Sequence, residues 1–275
     1  MSLRPLAVGL WAGVLPGCMT MDPFLFNPTA VDAYAFGGDV IPAENVEEST
    51  FRAKDGVRLH GVWCWQDDPA APALVFFHGN TGNLDDYWDR LEFYWSAGYT
   101  VFSFDYRGFG RSEGTPGRAI LEADGPAAVA HVEGTLGQPF DTLPLLGLSL
   151  GGAVAAHTSV DAPPRVLITE DTFANTEFLT DDGASGLDMP SGWFFEDPWD
   201  NARALSRQAA PVLIIHAAED TFIPSTAADI LYAAAQDPKA LWKVPGADHA
   251  EIHTVAPGDY AARIADWLAR HPSAR

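Results

Sequence analysis

Residues 143–159 read LPLLGLSLGGAVAAHTS. Leu143 to Leu148 is a short apolar run, the pattern of a strand covered on both faces. Gly151 to Ser159 is alanine-rich and reads as a helix. Between them lies Gly147-Leu148-Ser149-Leu150-Gly151. A serine on a sharp strand-to-helix turn is held in a strained conformation, with its hydroxyl exposed above the sheet. The helix N-terminus then faces any negative charge that develops there. A plain glycine-rich turn produces the same five letters; the strand before and the helix after select the nucleophile reading. Ser149 is the expected nucleophile. The backbone N–H of Leu150 is an expected oxyanion donor.

Outward from this turn, strand and helix alternate. Apolar runs at Ala73–Phe77, Tyr99–Phe104, Arg165–Thr169 and Pro211–His216 match the first. Helical stretches separate them: Leu84–Ala97, Arg118–Thr135, Thr226–Ala235 and Asp259–Arg270. This order specifies an α/β fold, a mostly parallel central sheet flanked by helices. Ahead of it, two β-like runs between Phe51 and Trp65 flank Lys54-Asp55-Gly56, a hairpin signal. Residues 171–208 break the alternation and carry Phe173, Phe178, Trp193, Phe194, Phe195 and Trp199. They read as a small cap insertion, with a short helix starting at Asp197-Pro198, the Asp as its N-cap.

A serine nucleophile needs a base, and the base needs an orienting acid. Where the nucleophile sits on a strand-to-helix elbow of a parallel sheet, acid and histidine follow it in that chain order. The strand PVLIIH leads to Glu219-Asp220, and Asp220 is the expected acid; Glu219 would point elsewhere on an extended turn. The strand in KALWKVPGADH leads to His249, the expected base, with His253 as the alternative. His216 is placed to support the acid loop; His60, His131 and His157 read as packing or surface residues. The second oxyanion donor should come from the loop after Ala73–Phe77, which is His78-Gly79-Asn80-Thr81-Gly82-Asn83, and Asn80 N–H is the best placed. Asp105, Arg107 and Ser112, in another loop after a strand, read as structural. There is no His-x-His or His-Glu-x-x-His spacing, so neither a metal nor a cofactor is expected.

The 275 residues hold 37 acidic and 16 basic side chains, a net charge of −21. That excess argues against nucleic acid as a partner and against adhesion to anionic lipid. The two cysteines, Cys18 and Cys64, form no disulfide framework. Arg4, the apolar run Leu6–Leu15 and then Leu15-Pro16-Gly17-Cys18 resemble a bacterial lipoprotein signal, in which Cys18 is lipidated and becomes the new N-terminus. The expected division is a signal peptide at 1–17, an N-terminal arm at 18–48, and a main domain at 49–275. The expected location is the bacterial cell envelope, lipid-anchored at Cys18; the alternative is a secreted or periplasmic soluble protein.

HGNTGN, DYRGFGRSEG, GLSLGG, HAAEDTFIP and GADH occur in that order across residues 50–270. Together they resemble the α/β-hydrolase superfamily, and within it the serine-aminopeptidase-like hydrolases of bacteria, which include lipoproteins. The resemblance implies Ser149, Asp220 and His249 as a triad, with Asn80 and Leu150 at the oxyanion hole. Ala217 stands where that family usually carries Gly. The expectation is a serine hydrolase cleaving a carboxylic ester-like acyl bond in a small-molecule or lipid-like substrate. A peptidase or acyltransferase with the same triad is the alternative, with Glu196 and Asp197 as candidate partners for a free amine. A non-catalytic binding lipoprotein is the alternative of another class.

Overall fold

The computed structural model describes residues 25–176, 178 and 199–273. Residues 1–24, with Cys18, and much of the 171–208 segment, with Trp193, Phe194, Phe195, Glu196, Asp197 and Pro198, lie outside them. Strands β1 (Asn27–Pro28), β2 (Val46–Arg52), β3 (Arg58–Cys64), β4 (Ala73–Phe77) and β5 (Thr81–Gly82) come first. They are followed by β6 (Thr100–Asp105), β7 (Pro144–Leu148), β8 (Val166–Glu170), β9 (Val212–Ala217) and β10 (Lys239–Val244). The helices are α1 (Trp88–Ser96), α2 (Arg118–Leu136), α3 (Leu150–Thr158), α4 (Asn201–Arg207), α5 (Thr226–Ala234), α6 (Ile252–Val255) and α7 (Pro257–Arg270).

Eight of the strands form one sheet in the order β10-β9-β8-β7-β4-β6-β3-β2. Six of them, from β10 to β6, are parallel. β3 and β2 add an antiparallel edge, and the hairpin between them turns at Lys54-Asp55-Gly56 as the sequence implies. Every residue of β4, β7 and β8 is buried, because helices cover both faces. Val75 and Phe77 face one core with α2, α3, α4 and α5; Leu74 and Phe76 face the other with α1 and α7. No helix among the described residues is long and apolar enough to cross a membrane.

The strand order reverses at β4, which lies between β6 and β7. In such sheets the ligand crevice opens at the C-terminal ends of the strands flanking the reversal. Those ends are His78-Gly79-Asn80 after β4 and Ser149 after β7.

Two local expectations are corrected. The helix predicted to begin at Asp197-Pro198 is α4, beginning at Asn201 with Asp200 as its cap; Asp200 accepts from Arg203 N at 2.8 Å. The helix predicted from Leu84 opens with a 3-10 turn over Leu84–Tyr87 before α1. The cause is a capping box: Asn83 accepts from Asp85 N, and Asp86 accepts from Asn83 N, both at 2.9 Å.

Candidate active site

Ser149 joins β7 to α3 with φ +54° and ψ −115°. A side-chain-bearing residue held there is strained and needs support from its surroundings. Ser149 N donates to Glu170 O at the end of β8, at 2.7 Å. The turn also requires two glycines. A Cβ on Gly147 would lie 2.3 Å from Gly151 O, and one on Gly151 would lie 2.0 Å from Phe77 O. The first turn of α3, including Leu150, therefore abuts the end of β4 that leads into the Asn80 loop.

Asp220 follows β9 and His249 follows β10. His249 Nδ1 donates to Asp220 Oδ2 at 2.7 Å, which turns Nε2 away from Asp220. Asp220 Oδ1 accepts from Phe222 N at 2.9 Å and Ile223 N at 2.6 Å. His216 Nε2 lies 3.4 Å from Asp220 Oδ2 and donates to Ile223 O at 2.8 Å. Burial opposes the charge on Asp220, but the hydrogen bonds from His216 and His249 outweigh it and hold the carboxyl well below the usual range. Burial likewise opposes a proton on His216, yet the bond to Asp220 and the nearby Asp171 carboxylate raise its pKa. Glu219 does point elsewhere: it accepts from Gly246 N at 2.6 Å, tying the acid loop to the base loop. Asp248 adds a second tie, accepting from Thr221 N at 2.7 Å.

Asn80 sits in the loop after β4. His78 Nδ1 donates to Gly79 O at 2.8 Å. The peptide between Gly79 and Asn80 is planar, so a carbonyl held on one side sends the Asn80 N–H the opposite way. His78 is fully buried, with Nε2 3.3 Å from Asp105 Oδ1. Asp105, Arg107 and Ser112 hold loops together, as the sequence implies. Ser112 Oγ donates to Asp105 O at 2.6 Å and accepts from His60 N at 2.9 Å. Arg107 pairs with Asp124 through Nε at 2.9 Å and with Asp55 through Nη1 at 2.7 Å.

Four buried residues around the site escape sequence reasoning. Asp171 follows β8 with φ +47° and accepts from Ala217 N at 2.7 Å and Ala250 N at 2.8 Å. Arg90, in α1, donates to both Glu170 oxygens, at 2.9 and 2.8 Å, and also to Ala250 O. Tyr260, in α7, donates to Glu170 as well. The only sequence signal was an acidic pair, Glu170-Asp171, ending an otherwise apolar strand. Asp171, His216 and Asp220 offer ligand atoms within 4.8 Å of one another. Each carboxylate oxygen of that group already accepts a protein hydrogen bond, and the group reads as the support of the acid.

Comparison with known proteins identifies the family and the fold. Residues 72–168 match the family described as alpha/beta hydrolase fold. The YfhR protein of Salmonella typhi is 31% identical, covering 89% of this chain and 88% of its own. The chain belongs to the α/β-hydrolase family. The Pyrococcus furiosus esterase Pf2001 shares the fold with this hydrolase at TM-score 0.71 and 20% identity, over 90% of this chain and 98% of the other. The lysophosphatidylserine lipase ABHD12 of Rattus norvegicus is 30% identical, over 58% of this chain and 45% of its own.

Four other histidines of the hydrolase lie in other pairings. His253, the alternative base, lies 3.0 Å from Asp89 and not at Asp220. His157 lies 3.1 Å from Glu122, and His131 stacks on Phe51 at 4.8 Å. His60 is buried beside Glu48. Phe222 stands 48% exposed next to the site, its ring 5.1 Å from that of His249.

Proposed function

We propose that this protein is a serine hydrolase cleaving carboxylic ester-like acyl bonds, with Ser149 as nucleophile, His249 as base and Asp220 as orienting acid. The observation that carries the reading is the 2.7 Å bond from His249 Nδ1 to Asp220 Oδ2, together with a serine at positive φ on the turn after β7. Ser149 Oγ attacks the acyl carbonyl while His249 Nε2 takes its proton. Asp220 stabilises the resulting imidazolium. The N–H groups of Asn80 and Leu150 receive the oxyanion; each such donor contributes roughly 2.7–4 kcal/mol to the barrier reduction. The protonated His249 then gives its proton to the leaving alkoxide. Water, deprotonated by the same histidine, releases the acid and restores Ser149.

A lipid-like ester is the favoured substrate, and two observations support it. The 30%-identical ABHD12 is named for action on a lysophospholipid. The Cys18 signal would also tether this acidic chain to the cell envelope, at a membrane its charge does not otherwise seek. A complete set of acyl-transfer groups favours an enzyme over a binding lipoprotein.

The test is labelling by a fluorophosphonate probe, with Ser149→Ala alongside, followed by a series of esters of increasing acyl length. The expected result is labelling that vanishes in the variant and turnover lowered at least ~10³-fold. Absence of labelling in folded wild type overturns the reading.

A further inference from the structure

We infer that the N-terminal arm is a positioning strap for the oxyanion loop, acting through the main-chain N–H of Asn27 and the hydroxyl of Tyr34. This rests on the acyl-transfer reading and adds a second determinant of its rate.

The arm is built onto the loop that carries Asn80. β1 pairs in parallel with β5, with Asn27 opposite Thr81 and Pro28 opposite Gly82. Asn27 N donates to Asn80 O at 2.8 Å, and Thr29 N donates to Gly82 O at 2.9 Å. Pro28 falls between them, at the one position whose N–H the ladder does not use. The loop returns two bonds: Asn80 Nδ2 donates to Leu25 O at 3.2 Å, and Asn83 Nδ2 donates to Thr29 O at 3.1 Å. Asn80 is thus held on its carbonyl and on its side chain by arm backbone, while its N–H is turned away by the His78 bond to Gly79 O.

The second attachment runs through Asp105. Tyr34 OH donates to Asp105 Oδ2. The other oxygen, Oδ1, accepts from Leu84 N at 3.1 Å and lies 3.3 Å from His78 Nε2. Tyr34 therefore orients the carboxylate that holds the far end of the loop at Leu84 N and lies beside His78 at its near end. Burial and the Asp105 charge push the Tyr34 hydroxyl far above its ordinary pKa, so it remains a donor at every working pH. Further along, Val31 N and Gly110 N make reciprocal bonds with Gly110 O and Thr29 O, at 3.0 and 3.1 Å. A loop with no such strap would have to hold its oxyanion donor by its own turn alone.

The full chain is tested as Asn27→Pro, Asn27→Ala and Tyr34→Phe, with p-nitrophenyl butyrate as substrate and a trifluoromethyl ketone as the tetrahedral analogue. Misplacing one oxyanion donor without removing it should lower kcat by about tenfold in Asn27→Pro and Tyr34→Phe, with KM within about twofold. The inhibition constant of the ketone should rise by about the same factor as kcat falls. Asn27→Ala keeps the N–H and should retain wild-type kcat. If Asn27→Pro does not fold, Tyr34→Phe decides alone. Wild-type kcat in Tyr34→Phe, or an equal loss in Asn27→Ala, overturns the strap. A wild type whose Ser149 takes no fluorophosphonate overturns the acyl-transfer reading, and the strap with it. Labelled, active wild type with unaffected variants removes the strap only.

Discussion

Ala250 N donates to Asp171 Oδ2 at 2.8 Å, so the residue after His249 is held by the carboxylate that ends β8, beside the Ser149 turn. The other Asp171 oxygen takes Ala217 N, at the end of the strand that leads to Asp220. One buried carboxylate thus sets the spacing of base and acid loops. Burial, with the neighbouring Glu170 charge, pushes its pKa up to about 6. In the unfolded chain the same carboxyl titrates near ~3.9. Between those values the folded protein binds the extra proton. The stability Asp171 contributes is therefore full below the unfolded pKa and lost as pH rises through about 6. Asp171→Asn abolishes this titration. The excess of wild-type over variant unfolding free energy should shrink by ~2–3 kcal/mol from about pH 4 to about pH 7. Urea unfolding at both pH values reads it; a difference independent of pH would place the titration elsewhere.

Arg90 and Glu170 are a buried ion pair that also reaches the base loop, since Arg90 Nη2 donates to Ala250 O. Ala250 sits at φ +63°, clamped by Asp171 through its N–H and by Arg90 through its carbonyl. Arg90→Met leaves the Glu170 charge buried without its partner. The expected cost is ~3–5 kcal/mol of unfolding free energy, and kcat should fall as His249 loses its anchorage. Adding Glu170→Gln should recover much of the stability but not the kcat, because among the described residues only Arg90 holds the Ala250 carbonyl. A double-mutant cycle by chemical denaturation measures this coupling. Full additivity would mean the two charges do not stabilise each other.

The contrast between these networks and the triad candidates explains what was legible in the sequence. Phe76 and Phe77 sit in an uninterrupted apolar run because helices cover both faces of β4, and burial of that kind leaves a local signature. Ser149, Asp220 and His249 each stand after a strand end, where chain order marks them as candidates. The pairings Arg90–Glu170, Tyr34–Asp105 and Asp171–Ala250 join residues 80, 71 and 79 positions apart. Nothing in a window of ten residues encodes them; they exist only because the sheet brings separate strand ends together. The cap of α4 was misplaced for a local reason: two Asp residues, Asp197 and Asp200, precede the same helix, and only Asp200 lies next to its first turn.

Phe222 is an apolar ring left 48% exposed at the site, against His249. A ring there can cover part of an acyl or leaving group. Phe222→Ala should raise KM for aromatic or long-chain esters by roughly two- to tenfold, the equivalent of ~0.5–1.5 kcal/mol of aromatic contact. Acetyl esters should be little affected, and unfolding free energy should stay within about 0.5 kcal/mol. Steady-state kinetics over the ester series decides it. Equal KM values for all esters would exclude Phe222 from the substrate path.

Two glycine-to-alanine changes should act in opposite directions, for reasons visible in their surroundings. Gly134 lies exposed in α2, and a Cβ there would meet nothing within 4 Å. Gly134→Ala should stabilise by roughly 0.5–1 kcal/mol, since alanine loses less backbone freedom in a helix. At Gly151 the new Cβ would stand 2.0 Å from Phe77 O and 2.5 Å from His78 O. Both are backbone atoms of the strand end that leads to Asn80, so neither can swing aside. Either α3 shifts and carries Ser149 with it, or β4 shifts and carries the oxyanion loop. Gly151→Ala should therefore cost at least ~1–3 kcal/mol and lower kcat in the protein that still folds. Thermal unfolding and turnover of the two variants, measured side by side, separate general helix propensity from the close approach that the Ser149 turn demands. Wild-type kcat in Gly151→Ala would show that α3 and β4 can part without disturbing the site.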